Sequence, residues 1–254
     1  VRRDDDGGVA TLTLNRPASR NALSLEVLDA LDAALVAIAA DRSVRVVVLA
    51  GAGPAFSAGH DLCELAALDD AAARTELFAR CSAVMLRVGE LPQPVIAKVG
   101  GVATAAGCQL VASCDLAVAG ASARFATPGV DIGLFCSTPA VAVTRTVAPK
   151  HAMELLLTGE LVGAEHALRI GLVNRVVPDA ELDAATTALA ALVASKPPAV
   201  VALGKAALRR QRDLPVRDAY AVASAAMVEN LAMPDAAEGI AAFLEKRPPS
   251  WGAG

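Results

Sequence analysis

Phe56-Ser57-Ala58-Gly59-His60-Asp61-Leu62 and Ala103-Thr104-Ala105-Ala106-Gly107-Cys108-Gln109 are the two stretches whose residue types and order suit chemistry. Each follows a strand-like run and contains a glycine, and the second opens a helix of small residues. The first turns of helices leave backbone N–H groups without intrahelical partners and carry the positive end of the helix dipole. Aimed at a carbonyl, such a donor holds the oxyanion that develops in enolate or tetrahedral chemistry, and losing one costs roughly 10²–10³ in rate. On spacing alone the same stretches also read as ordinary strand-to-helix connections, and both readings stand at this level. His60 adds an imidazole that could titrate near neutrality beside such a site. Equally, its ring could point away while only its N–H works.

Other chemistries lack their motifs. Gly51-Ala52-Gly53 does not continue as G-x-G-x-x-G, Ser57 lacks the G-x-S-x-G frame of a hydrolase elbow, and no Walker A sequence is present. Cys63, Cys81, Cys108, Cys114 and Cys136 are odd in number and contain no C-x-x-C pair, so free thiols in a reducing compartment are expected. The three histidines, His60, His151 and His166, show no zinc spacing, so no metal is expected. His151 and His166 fall in helical stretches and read as surface residues.

The elements that must position the two turns follow from periodicity. Val9 to Leu14 alternates and is β-branched, which predicts a strand. Asn15 to Asn21 has turn chemistry, and Ser24 can cap a helix on which Leu25, Leu28, Leu31, Leu35 and Ile38 share one face. Val44 to Ala50 reads as a buried strand. A helix with Leu77, Cys81, Met85 and Val88 on one face is stopped by Pro92 and Pro94. Pro94 to Val99 and Leu116 to Ala119 read as strands, with a small-residue helix over Thr104 to Ser113 between them. This alternation predicts an α/β fold with a largely parallel sheet. Beyond Pro139 strand signals fade, apart from Leu172 to Val177. Helices are expected over Asp179 to Ala194, Pro198 to Arg210, Asp213 to Asn230 and Pro234 to Lys246.

The 254 residues are 55% hydrophobic but only 3% aromatic, so small Ala and Val side chains must build the core. A formal net charge of −4 argues against a general nucleic-acid binder. The longest uncharged run, Val99 to Cys114, is shorter than the ~18–20 residues of a membrane span, so no membrane partner is expected. Val1 to Gly8 is charged and Gly-rich, without the apolar run of a secretory leader.

The stretches NRPASRNALS, FSAGHDL, PVIAKVGGVATAAGCQLVASCDLAVA, LTGELVGAEHALRIGLVNRVV and EGIAAFLEKR resemble the crotonase (enoyl-CoA hydratase/isomerase) superfamily in order and spacing. The resemblance covers essentially the whole chain and is nearest to a vertebrate mitochondrial branch. The Ala-rich composition suggests a bacterial relative, and a cytoplasmic location is expected. The resemblance implies a crotonase-like spiral of ββα units over residues 1–195. A C-terminal helical oligomerisation region would follow over 196–254, giving a trimer or a dimer of trimers. It implies an acyl-CoA thioester of fatty acyl-CoA metabolism as ligand, with coenzyme A as part of the substrate and no separate cofactor.

It also implies that the thioester carbonyl is held by the backbone N–H groups of His60 and Ala106. Ala106 stands where the family has Gly, which requires an ordinary φ there. Arg20, Ala58, Asp61 and Leu62 correspond to residues along the CoA nucleotide and pantetheine. Phe243 and Lys246 correspond to tail residues that reach the nucleotide, typically from a neighbouring subunit. The family's two catalytic glutamates fall at Gln109 and Gly129, neither of which can move a proton. A positioned acid or base is worth ~10²–10⁴ in rate, so hydration should be weak or altered unless another group substitutes. The candidates are His60, Asp131, Cys136 and Ser137; on a strand, Asp131 would share a face with residue 129. Three functions stay open: an altered hydratase, an isomerase or thioesterase using His60 or Asp131, and a non-catalytic acyl-CoA binder or assembly protein.

Overall fold

A computed structural model describes residues 1–252 of the chain. The alternating residues of β2 (Val9–Leu14) pair antiparallel with β1 (Arg2–Asp6), whose charged residues form a solvated sheet edge. The charged N-terminal stretch is therefore a strand, which its composition conceals. Next comes α1 (Leu25–Ala39), capped by Ser24, whose side chain accepts from the Val27 amide. Its predicted stripe of Leu28, Leu31, Leu35 and Ile38 is buried.

Three ββα turns follow. The first is β3 (Val46–Gly51), β4 (Ala55–Ser57), the short α2 (Leu62–Ala66) and α3 (Ala71–Glu90). The second is β5 (Val95–Val99), β6 (Val102–Thr104) and α4 (Ala106–Ser113). The third is β7 (Leu116–Gly120), β8 (Arg124–Ala126), a 3₁₀ turn over Pro128–Ile132 and α5 (Ser137–Thr146). After α6 (Pro149–Thr158), β9 (Val162–Gly163) and α7 (Ala164–Arg169), the strand β10 (Arg175–Val177) returns to the first sheet.

The first strand of each turn enters a six-stranded sheet ordered β1-β2-β3-β5-β7-β10, parallel except for the β1 hairpin. The second strand enters a four-stranded sheet ordered β4-β6-β8-β9. The chain thus advances one strand per sheet at each turn, which is the expected spiral. The small sheet was not predicted, because three residues are too few to show a period. For the same reason the predicted helix over 104–113 begins at Ala106: Thr104 closes β6.

One face of the large sheet packs on α1, α3 and α4 around Leu31, Leu49, Leu77, Ala97 and Leu110. The other face packs Val46, Val48, Ile96 and Val118 against Leu182 and Leu189 of α8 (Leu182–Ala194). The tail comprises α9 (Pro198–Gln211), α10 (Val216–Leu231) and α11 (Pro234–Glu245). It buries little: Ala207, Ala226 and Ala242 are the buried residues of those helices. Lys205 ties α9 to the body, donating to the Gln93 carbonyl and to the Asp115 carboxylate. No single helix among the described residues is long and apolar enough to cross a membrane. All five cysteines are unbridged.

Candidate active site

Asn21 and Ser57 assemble the site. Asn21 is buried in a left-handed conformation (φ 53°) that asparagine tolerates better than most residues. Its Nδ2 donates to the carbonyls of Ala52 (2.9 Å) and Ala55 (2.7 Å), and its Oδ1 accepts from the Arg16 amide. Ser57 Oγ donates to the Asn21 carbonyl (2.9 Å) and accepts from the Gly59 amide (3.2 Å). The loop before α1 is thereby sewn to the loop after β4. Leu23 then runs beside His60 in a single parallel bridge, its amide donating to Gly59 O (2.8 Å) and its carbonyl accepting from Asp61.

The second turn is brought against the first by Thr104, whose hydroxyl donates to the Ala58 carbonyl (3.2 Å). Gly107 packs against the Ser57 carbonyl with no room for a Cβ. Gly59, at φ +91°, faces the same turn, where an added Cβ would stand 2.9 Å from the Ala105 side chain and 3.1 Å from the Ala106 amide nitrogen. Neither the His60 nor the Ala106 amide has an acceptor among the described residues. His60 is left out because its bridge uses its neighbours' groups, and Ala106 because it is the first residue of α4. Ala106 has an ordinary φ, as the Gly-to-Ala difference requires. The unusual backbone lies one residue earlier, at Ala105 (φ 50°, ψ −119°). Two N–H groups without acceptors thus lie on adjoining turns.

The His60 ring packs against α3. It meets Phe78 of α3 edge-on, with centroids 5.4 Å apart, and its Nε2 is buried without a partner. Burial holds its pKa below the ordinary value, favouring the neutral imidazole. Gln109 is 4% exposed and its Oε1 is likewise buried and unpartnered. A Cβ on Gly129 would lie 2.8 Å from the Leu134 carbonyl and 2.9 Å from Cys136 Sγ, so the room beside residue 129 is already filled.

Asp131 does not share Gly129's face. The segment is a 3₁₀ turn rather than a strand, so residues two apart point to different sides. Gly129 is buried while Asp131 is exposed, with its carboxylate toward Gly159. Ser137 is exposed at the start of α5. Burial raises the Cys136 thiol, partly offset by the Gly129 amide, and lifts Cys108 to about 12, so neither is a ready thiolate.

Arg20, Ala58, Asp61 and Leu62 lie on two loops that touch. The Ala58 amide donates to the Arg20 carbonyl, Asp61 caps α2 by accepting from Cys63 and Glu64, and Leu62 is 55% exposed. Phe243 and Lys246 sit at the end of α11, where Phe243 is 82% exposed. Among the described residues no hydrogen bond or ring contact joins them to this site. Phe78 and Asn21 were not picked out from sequence. Asn21 carried a signal as a turn-favouring residue beside Pro17, but Phe78 reads there only as one apolar residue of a helix.

Residues 4–254 match the protein family described as enoyl-CoA hydratase/isomerase. Enoyl-CoA hydratase domain-containing protein 3, mitochondrial, of Mus musculus is 48% identical over 244 residues, covering 96% of this chain and 81% of that protein. The crystal structure of an enoyl-CoA hydratase of Mycobacterium smegmatis superposes with TM-score 0.97 at 53% identity, over 98% of both chains. That of human enoyl coenzyme A hydratase domain-containing protein 3 gives 0.95 at 47%, over 98% of this chain and 99% of the other. The cytoplasmic expectation is overturned by relatives such as the mouse protein, which are named as mitochondrial. Unpaired cysteines suit any reducing interior, an organelle's included, and Ala content says nothing of compartment.

Proposed function

The chain belongs to the enoyl-CoA hydratase/isomerase family, and from that premise we propose that it binds an acyl-CoA by its thioester and acts as an enzyme of fatty acyl-CoA metabolism with weakened or altered hydratase/isomerase chemistry. The observation that carries the reading is the pair of unpaired amides, His60 and Ala106, on two turns held in contact. In this reading they receive the thioester oxygen as negative charge builds on it, so the α-carbon can be deprotonated or the β-carbon attacked. Arg20, Ala58, Asp61 and Leu62 line the path of the CoA. Gln109 supplies an amide rather than a carboxylic acid, and Gly129 supplies nothing. The neutral His60 imidazole, with Nε2 free, is the remaining group able to take a proton there, as an isomerase or thioesterase would need.

Purified protein given crotonyl-CoA and longer enoyl-CoAs tests this, with hydration, double-bond migration and thioester hydrolysis each followed. Substrate loss above the uncatalysed rate is expected, and no turnover of any acyl-CoA would sink the enzymatic reading. The filled space at Gly129 favours a second reading, an acyl-CoA binder without turnover. It predicts calorimetric binding of CoA thioesters with no product.

Assembly belongs to the same proposal. Leu208, Val216, Tyr220, Met227, Val228 and Leu231 of the tail and Phe243 of α11 are exposed in the single chain. An apolar surface of this kind is covered by copies of the chain as a trimer or a dimer of trimers, which light scattering after size exclusion would count.

A further inference from the structure

Two of the three histidines in the chain come from different helices and meet away from the thioester site. His151 on α6 and His166 on α7 stand edge to face, with ring centroids 6.1 Å apart. Glu154 lies one helical turn beyond His151 on the same face of α6, its carboxylate 3.7 Å from His151 Nδ1. One ligand atom from each of the three residues lies within 4.8 Å of the other two.

We propose that His151, Glu154 and His166 form a binding site for a divalent transition-metal ion of the zinc class. Two imidazoles and one carboxylate are a donor set that zinc takes, at about 2.0–2.2 Å per bond, with a fourth position left for water. Tetrahedral ligands at such lengths stand roughly 3.3–3.6 Å apart. The His151–Glu154 separation nearly meets that, and rotation of partly exposed side chains brings in His166. Nitrogen-rich ligation selects such ions over magnesium or calcium, which take oxygen.

The frame behind the ligands is firm. Ala152, Leu155 and Leu156 anchor α6 in the core, and Ala164 and Ala167 anchor α7. Gly159 in the left-handed region ends α6 and turns the chain toward α7. Arg169 Nη2 rests 3.2 Å from His166 Nδ1. Arg169 is exposed, so it can swing into solvent when the ion arrives. The bound ion staples α6 to α7, and α6 in turn accepts the Thr127 hydroxyl through the Leu155 carbonyl, two residues from Gly129.

The test is a titration of the full-length, tag-free chain with Zn²⁺ alone. A Cys63→Ser background removes the one exposed thiol. The expected result is one saturable site per chain, a raised melting temperature, and weakening beyond the roughly 10–100-fold that loss of a supporting partner costs in both His151→Ala and His166→Ala. Co²⁺ loading provides a second readout: its visible bands should grow without a thiolate charge-transfer band. No saturable Zn²⁺ binding, binding unchanged by His151→Ala, or a thiolate band on Co²⁺ loading would each overturn the proposal.

Discussion

Gly59 lies so close to Ala106 that a Cβ added to it would stand 3.1 Å from the Ala106 amide nitrogen. The same Cβ would lie 2.9 Å from the Ala105 side chain. The two turns therefore touch through a residue that must lack a side chain and that also holds φ +91°. Gly59→Ala should cost about 1–2 kcal/mol from its backbone conformation alone, read by urea unfolding. If the adjoining amides act as one oxyanion site, it should also lower turnover of enoyl-CoA by about 10²-fold, more than its effect on folding explains. Full activity in a folded Gly59→Ala protein would separate the contact from the chemistry.

Ala105 carries the opposite mismatch. It holds φ 50° and ψ −119° at the entrance to α4, a conformation natural only to glycine. Its amide is fixed by the Ala126 carbonyl at 2.9 Å, which keeps the turn from relaxing. Strain of this kind costs about 1–3 kcal/mol, while glycine adds about 0.4–1 kcal/mol of unfolded-state entropy. Ala105→Gly should therefore stabilise the protein by about 1 kcal/mol, seen as a higher urea midpoint with unchanged slope. A lower midpoint would mean that the turn is not strained.

Gln109 and Gly129 should respond differently to restored carboxylates. Gln109→Glu keeps shape, and burial would raise the new carboxyl's pKa, as suits a group that gives and takes a proton. A gain of about 10²-fold or more in crotonyl-CoA hydration is expected, with a folding cost of about 1–3 kcal/mol at neutral pH. Gly129→Glu must displace the Leu134 carbonyl and Cys136 Sγ, an overpacking worth about 1–3 kcal/mol. The double variant should be less stable than Gln109→Glu and no faster. A stable, faster double variant would show that the pocket keeps room for both acids.

Much of this arrangement was legible in advance, for physical reasons that differ by element. Ser24 and the Leu28–Leu31–Leu35–Ile38 stripe predicted α1 because a helix repeats its face over many residues. The strands β4, β6 and β8 have only three residues each, and their partners lie far along the chain, so no local pattern announces them. Asp131 would share a face with residue 129 only on a strand, where side chains repeat every second residue, and the chain makes a 3₁₀ turn there. His60 and Ala106 could be singled out by family resemblance. That their amides are unpaired, that Ala105 rather than Ala106 is left-handed, and that His151 meets His166 are facts of tertiary contact. No spacing in the sequence encodes them.

The His60 ring gives a prediction with a fixed sign. Burial lowers its folded pKa below the ordinary 6.5, while the unfolded chain keeps that value. Between the two values the unfolded state binds more protons than the folded one, so acid favours unfolding. The stability tied to a neutral ring is complete above about pH 6.5 and declines as pH falls toward the folded pKa. His60→Gln removes the titration together with the contact to Phe78. Its unfolding free energy should start below wild type at about pH 8, by the roughly 0.5–1.5 kcal/mol of an aromatic pair. Between about pH 7 and pH 5 the gap should narrow, because only wild type loses this contribution. Parallel curves for the two proteins would mean that the ring reaches solvent and protonates freely. In that case His60 could not serve as the poised neutral base of the proposed reaction.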